Sequence, residues 1–303
     1  MNTEIKERLE KTLEKYGISK AKASREMGKS NAVLSAYTTG NYQGDIPKLE
    51  EAILRWCARQ DQAHSRKRVP IVETQTLKTI TRAIELAHTE HDIALIIADA
   101  GSGKTTGARW YADQNESTVI YIPVISGMNR RMLVTELAKK CGIETARVQF
   151  NTLVQATADA LAGRDSLVIL DEADYLKADA LEFVRRIVYD LGESGLVLIG
   201  LPRLRGMIQN LRSDHRQLES RIGISVDVDG LSKADAAMIA RAVWPDCPKE
   251  VVNAIQDIAG KDTRQFCKII ERMQNTMAVN KLTEPSVDVA EVASQLVLRR
   301  RNG

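Results

Sequence analysis

Apolar residues in the middle of the chain cluster in five short runs: Ile93–Ala98, Val119–Val124, Leu167–Leu170, Leu196–Ile199 and Ile222–Val228. Runs this short and this apolar predict strands buried on both faces. The stretches between them carry apolar residues at helical spacing, which predicts helices over Thr105–Gln114, Arg131–Cys141, Thr152–Leu161 and Ala178–Leu191. Strands alternating with helices imply an α/β fold, a parallel sheet covered on both faces. The flanks differ. Residues 1–60 read as short helices, and residues 61–70 are polar and basic and end in proline, as a linker would. Residues 230–303 lose the strand signal and predict four helices, near Ser232–Val243, Lys249–Ile258, Thr263–Val279 and Ser286–Leu298. The expected organisation is a helical domain (1–60), a linker (61–70), an α/β core (71–229) and a helical C-terminal domain (230–303). No internal repeat or low-complexity tract interrupts it.

Composition narrows the class. A chain of 303 residues, 44% apolar and 27% charged, is long enough for about two domains with real cores. Aromatics are only 4%, so those cores are expected to be aliphatic. No apolar run approaches the ~20 residues of a membrane helix. The N-terminal stretch is charged and amphipathic and lacks the apolar region of a signal peptide, so a cytoplasmic location is expected. Cys57, Cys141, Cys247 and Cys267 form no CxxC pair and read as reduced thiols. The histidines show no HExxH spacing, which argues against a zinc site. The net charge of +3 is uneven: residues 1–70 hold 14 Lys and Arg against 9 Asp and Glu, the remainder 29 against 31. A basic N-terminal region suits an anionic partner or simply a solvated surface.

The first strand runs into Ala98-Asp99-Ala100-Gly101-Ser102-Gly103-Lys104-Thr105-Thr106. This matches a Walker A phosphate loop except that Ala98 stands where the first glycine belongs. Small residues let backbone N–H groups wrap phosphates, the lysine reaches the terminal oxygens, and the hydroxyl holds Mg²⁺. The helix that follows adds its N-terminal dipole. Residues Asp99 to Thr106 are therefore the expected ATP-binding loop, with Thr105 as a Mg²⁺ ligand. The third apolar run ends in Asp171-Glu172. Asp171 is expected to hold Mg²⁺, directly or through water, and Glu172 to polarise the attacking water. Two adjacent acids at a buried strand end are hard to explain by packing, since an unpaired buried carboxylate is costly. The string Asp171-Glu172-Ala173-Asp174 spells a helicase box, but such helicases need two α/β domains and this chain has length for one, so the spelling reads as accidental.

With these motifs in place the chain resembles the AAA+ ATPases. Within them it is similar to the ATP-dependent target-DNA-binding transposase activators of Mu-like phages. The segment Val72-Glu73-Thr74-Gln75-Thr76 ahead of the first strand, and the order of elements along nearly the whole chain, carry the finer resemblance. It implies an AAA+ P-loop NTPase core with a parallel sheet, an N-terminal helix-turn-helix domain and a helical C-terminal lid. It also implies ATP and Mg²⁺ as ligands, and a phage-type transposase, duplex DNA and further copies of the chain as partners. Arg221, in Ser220-Arg221-Ile222, resembles an arginine finger that reaches a neighbouring subunit's nucleotide. Arg264, in Asp262-Thr263-Arg264-Gln265, resembles the sensor 2 arginine. Where the family usually has a polar sensor 1 at the end of the fourth strand, this chain has Ile199-Gly200-Leu201-Pro202. That departure implies slow, switch-like hydrolysis.

Two regions read as DNA contacts. Lys20–Met27, a turn at Gly28, a cap at Ser30 and a second helix over Asn31–Thr38 form a helix-turn-helix pattern. Leu34 and Tyr37 are expected in its core, Asn31, Ala32 and Ser35 toward a major groove, and Lys22, Arg25 and Lys29 near phosphates. Such small polar groups confer little sequence specificity; a protein-binding helical bundle is the other reading. In the core, Arg130 and Arg131 stand at a helix start after the second strand, and Arg147 begins the next connection. The resemblance places this region along a DNA channel, where these arginines would contact phosphates without reading sequence. The basic end Arg299-Arg300-Arg301 would bind DNA or a transposase, or serve as a charged tail. The functional expectation is an ATPase that forms helical filaments on duplex DNA, delivers it to a transposase and activates that enzyme. A helicase-loader ATPase and a nucleotide-sensing transcriptional regulator are the alternatives.

Overall fold

The computed structural model describes residues 2–64, 68–209 and 217–298. The basic end Arg299-Arg300-Arg301 and residues 65–67 of the expected linker lie outside them. The chain divides into two compact units, Met1–Arg68 and Val69–Gly303.

The first unit holds α1 (Thr3–Lys15), α2 (Lys20–Glu26), α3 (Asn31–Thr39) and α4 (Ile46–His64). Asn2, Ser19 and Ser30 cap the first three with side-chain oxygens, each satisfying a backbone N–H that a helix start leaves unpaired. Gly40, at φ 84°, ends α3 in the left-handed conformation. Leu9, Ala23, Leu34, Tyr37, Ile53 and Trp56 form the core. The Tyr37 hydroxyl donates to Glu50 at 2.9 Å, so its buried polar end is satisfied. The helix α4 runs on through residues 61–64, which composition assigns to the linker. Asp61 explains the extension. Its carboxylate accepts from the Tyr16 hydroxyl at 2.8 Å and pairs with Arg8 and Lys15, so the last turn is tied to α1.

The second unit begins with α5 (Gln75–Thr89), β1 (Ile93–Ala98), α6 (Lys104–Gln114), β2 (Val119–Pro123), α7 (Arg130–Lys140), α8 (Phe150–Leu161) and β3 (Leu167–Asp171). It continues with a 3₁₀ turn over Ala173–Tyr175, α9 (Ala178–Arg185), a π-turn over Arg186–Leu191, β4 (Gly195–Gly200), α10 (Pro202–Gln209), α11 (Gln217–Ser220) and β5 (Ile222–Val228). Four helices close it: α12 (Lys233–Val243), α13 (Lys249–Ala259), α14 (Thr263–Asn280) and α15 (Val287–Leu298). The strands pair in parallel in the order β2-β3-β4-β1-β5. Alternation along β1 shows why the sheet needs cover on both sides. Ile93, Leu95 and Ile97 enter one core, with α7, α8 and α9, while Ala94, Ile96 and Ala98 enter another, with α5 and α6. Helices α12–α15 have a core of their own around Phe266, Ile269, Ile270 and Met273. The helix expected over Ala178–Leu191 is α-helical only to Arg185, and its last six residues form the π-turn.

Strand order positions the chemistry. The ends of β1 and β3 point the same way with only β4 between them, a gap of about 10 Å at ~4.8 Å per strand. Loops that leave β1 and β3 therefore face each other across the end of β4.

Candidate nucleotide site and basic groove

The loop after β1 is built for backbone donors. Gly101 and Gly103 sit at φ 82° and 97°, where a side chain would be strained, and Gly103 caps α6 with no side chain in the way. A Cβ on Gly101 would also strike the Asp262 carboxylate. Ala98 is the last residue of β1, at ordinary extended geometry, so the missing glycine costs this loop nothing. Lys104 opens α6, is buried, and its Nζ donates to the Asp99 carbonyl at 3.0 Å. Burial pushes its pKa down, and Asp171, Asp174 and Glu172 push it back up. The ammonium thus lies within the field of three carboxylates, in a place where a phosphate would offset its desolvation.

Asp171 ends β3 and is only 2% exposed. Its Oδ2 accepts from the Tyr121 hydroxyl at 2.8 Å and its Oδ1 from the Glu172 N–H at 3.0 Å. Burial holds the Tyr121 pKa up at about 12, so this donor keeps its proton near neutrality. Arg109 donates from Nε to the same hydroxyl at 3.2 Å. Glu172 is exposed and adopts a left-handed φ of 59°, a conformation rare for a non-glycine residue. The strained turn breaks the strand and turns the Glu172 side chain into the cleft.

A cleft of about 440 Å³ gathers Gly101, Gly103, Lys104, Thr105, Thr106, Glu172, Asp174 and Arg264. Arg264 is the second residue of α14: its N–H donates to the Gly101 carbonyl at 3.1 Å, and its charge lowers the Lys104 pKa. Asp171 does not line this cleft; its charge acts on Lys104 and raises the lysine's pKa. Of the loop residues, Asp99 and Ala100 are exposed, Ala100 lines the cleft and Asp99 does not, and Ser102 is buried. A second, mostly apolar hollow of about 270 Å³ adjoins the loop, lined by Val69, Ile71, Val72, Ser102, Leu231 and Ile239. The Ser102 hydroxyl is buried there without a hydrogen-bond partner. An orphaned hydroxyl beside an apolar hollow, next to a phosphate-shaped loop, fits a nucleotide: a base against the hollow and phosphates on the loop. Thr105 and Asp171 supply the oxygen donors that suit Mg²⁺.

Sequence reasoning missed three parts of this site. Asp174, dismissed with the helicase spelling, reaches across to the end of β4, where no polar side chain stands. Its Oδ1 accepts from the Leu201 N–H at 3.1 Å and its Oδ2 from Arg203 Nε at 2.7 Å. A Cβ on Gly200 would come within 2.7 Å of Oδ1, so the glycine makes room for the carboxylate. Tyr121 and Arg109 orient Asp171, and only strand adjacency shows it. The third is Asp235 of α12. It is 1% exposed and accepts from the N–H groups of Gln75 and Thr76 and from the Thr76 hydroxyl, at 2.8, 3.3 and 2.7 Å. Thr74 caps α5 by accepting from Leu77 N–H at 3.1 Å. The Val72–Thr76 segment is thus a clasp between the sheet domain's first helix and the C-terminal helices.

Arg221 lies away from this cleft. It precedes Ile222, which pairs with Ile93, whereas the phosphate loop leaves the other end of β1 at Ala98. The separation is about five strand residues, roughly 16 Å. Its guanidinium instead contacts Asp190 at 2.9 Å.

A groove of about 790 Å³ on the other side of the 3₁₀ turn joins Gly127, Arg130, Arg131, Phe150, Tyr175 and Lys177. Arg130 lies over the Phe183 ring and pairs with Asp179 at 3.3 Å, and Arg131 lies over the Phe150 ring. Arg147 is exposed in the turn between α7 and α8, at φ 60°. Tyr175 borders both this groove and the cleft beside Lys104. In the N-terminal unit, Lys22, Arg25 and Asn31 are exposed, Lys29 and Ser35 are half-buried, and Leu34 and Tyr37 are in the core. Among the described residues no group of His, Cys, Asp and Glu could hold a metal by itself, and no helix is long and apolar enough to cross a membrane.

Residues 87–208 match the family model described as an AAA domain. The chain is 31% identical over 242 residues to the ATP-dependent target DNA activator B of Escherichia phage Mu, covering 78% of this chain and 76% of that protein. It is 28% identical over 257 residues to the Mu-like prophage FluMu DNA transposition protein B of Haemophilus influenzae, covering 83% and 89%. Among solved structures the ORC2 protein of Aeropyrum pernix superposes with a TM-score of 0.59 at 16% identity, covering 76% of this chain and 70% of that one. That likeness extends to the fold.

Proposed function

The chain belongs to the family of the Mu-type ATP-dependent target DNA activator B proteins, and on that premise we propose that it is an ATP-switched, largely sequence-independent DNA-binding protein that serves a transposase. It is an AAA-type ATPase. In this reading copies of the chain assemble as a helical filament on duplex DNA, deliver that DNA to the transposase and stimulate strand transfer, and hydrolysis dissolves the filament. The observation that carries it is the convergence on one cleft of Lys104, Thr105, Glu172 and Arg264, with Tyr175 shared between that cleft and a basic groove.

The residues divide the work as follows. The loop N–H groups of Gly101 to Thr106 and the α6 dipole bind the phosphates, and Lys104 leaves the Asp99 carbonyl for the terminal oxygens. Thr105 and Asp171 would hold Mg²⁺, with Asp171 kept in place by the Tyr121 hydroxyl. When bound, Mg²⁺ supplies positive charge that offsets the negative charge developing on the transferred phosphoryl group. Glu172 takes a proton from the attacking water. Arg264, in helices α12–α15 read as a lid, senses the phosphates. Arg221 of one copy acts on the nucleotide of the next, which ties hydrolysis to assembly. ATP favours the assembled state because it binds that state more tightly. Arg130, Arg131 and Arg147 of the core contact phosphates of the duplex. Lys22, Arg25, Lys29, Asn31 and Ser35 of α2 and α3, read as a helix-turn-helix, do the same from the N-terminal unit.

The test is Lys104→Ala. The variant is expected to keep the wild-type Tm and circular dichroism while losing ATP-dependent DNA binding. A folded variant that still binds DNA in response to ATP refutes the site assignment.

A further inference from the structure

Arg221 is the exposed end of a buried ion network, and that network looks built to aim it. Arg185, the last residue of α9, has a side chain 3% exposed. Its Nε donates to Glu182 Oε2 at 2.8 Å, and its Nη1 binds Asp190 Oδ2. Asp190 Oδ1 then accepts from Arg221 Nη1 at 2.9 Å. The other oxygen of Glu182 accepts from the Leu218 N–H at 2.8 Å, which pins the short helix α11 that leads into Arg221. The Tyr189 ring lies under the Arg221 guanidinium, 5.8 Å from its centroid. Backbone, charge and ring all fix this one side chain.

The π-turn is what makes the geometry possible. Its i→i+5 bonding brings residues five apart into line, and Arg185 and Asp190 are five apart. In a continuing α-helix positions three or four apart would share a face instead. Buried ion pairs are seldom more stabilising than apolar residues of the same volume, so stability alone gives no reason to keep Arg185, Glu182 and Asp190 here. Placement of a guanidinium does.

We infer that Asp190, presented by the π-turn, is a positioning residue for Arg221, which acts on the nucleotide of a neighbouring copy. This rests on the reading of Arg221 as an arginine acting between copies. Arg221 cannot serve its own cleft, because it stands at the opposite end of the β1–β5 pair. An unassembled chain needs some group to keep it extended and oriented until a neighbour docks. Misplacing a reacting group by about 1 Å can cost ~10²-fold in rate.

The experiment measures ATP hydrolysis by the full chain on long duplex DNA, with ATP affinity and Tm alongside. Arg221→Ala is expected to lose ~10³-fold in kcat at unchanged ATP affinity. Asp190→Asn is expected to lose ~10–100-fold in kcat, with KM close to wild type. Asp190→Glu, which keeps the charge one methylene away, is expected to recover part of the loss. The decisive step is mixing. Asp190→Asn subunits have a working phosphate loop and a misplaced Arg221; Lys104→Ala subunits have the reverse. Mixed assemblies are expected to hydrolyse ATP faster than either variant alone. Wild-type kcat in Asp190→Asn, or a defect that mixing does not rescue, overturns the inference. If Asp190→Asn lowers Tm, Asp190→Glu mixed with Lys104→Ala carries the same two outcomes. Wild-type hydrolysis by Arg221→Ala would instead overturn the underlying reading of Arg221.

Discussion

The carboxylate of Asp174 holds the guanidinium of Arg203 through two donors, at 2.7 and 2.6 Å, directly beyond the end of β4. This pair stands where AAA+ proteins usually place a polar side chain on the fourth strand. Asp174 is buried, hydrogen-bonded to Leu201 N–H, and contributes to the field on Lys104. Asp174→Asn keeps the shape and removes the charge. We expect kcat for ATP to fall ~10–100-fold with a smaller change in KM, because the position of the reacting groups is disturbed more than the binding loop. Steady-state kinetics with DNA present checks this; an unchanged kcat would leave the end of β4 without a polar contributor.

Asp235 joins α12 to the start of α5 through three hydrogen bonds and is almost fully buried. Asp235→Ala strands two backbone donors at the helix N-terminus. The expected loss of stability is about 1–3 kcal/mol, read as a lower denaturation midpoint. Affinity for ATP should fall too, since the apolar hollow beside the loop is lined from both sides of this clasp.

Cys267 sits on α14 one turn after Arg264 and lines both the cleft and the hollow. Burial, with Glu271 and Asp262 adding to it, pushes its thiol up to about 11. The thiolate is the reactive form, so a raised pKa means little thiolate at neutral pH. Alkylation by iodoacetamide should be slow at pH 7 and rise toward pH 11 instead of the ordinary range near ~8.5. ATP should slow it further. Mass spectrometry of the modified peptide, with and without ATP, reads both effects; equal labelling in the two conditions would place the nucleotide elsewhere.

The basic groove makes a prediction about salt. If Arg130 and Arg131 meet phosphates, DNA affinity falls steeply with salt, and each arginine replaced by alanine makes the log–log slope shallower by about 1. The loss should be similar on all sequences. A loss confined to particular sequences would assign these side chains to base contacts.

How much of this was legible in the sequence depended on range along the chain. The central strands β1, β3 and β4 were legible because buried parallel strands are unbroken apolar runs, as Leu167–Leu170 is; the edge strands are not buried on both faces as expected, since β5 alternates half-buried and exposed residues and β2 is only partly buried. The glycine-rich loop and the Asp171-Glu172 pair are each local, so spacing alone proposes them as parts of a nucleotide site. The helix α5 escaped notice although Leu77, Ile80, Ile84 and Ala87 mark one face, and the clasp through Asp235 joins positions far apart in sequence. Asp174 could be recognised only once β3 and β4 were neighbours; Gly200, small where a polar residue was expected, was the available sign. The π-turn was invisible because an i→i+5 turn has no composition of its own. The linker reading failed at its start because Asp61 finds partners on α1, a tertiary tie that polarity does not report.

Electron microscopy of the full chain on long duplex DNA, with ATP, with ADP and without nucleotide, tests the central claim most directly. Continuous helical filaments are expected in ATP alone, and none for Lys104→Ala. Discrete particles at fixed sites, or DNA binding indifferent to nucleotide, would contradict it.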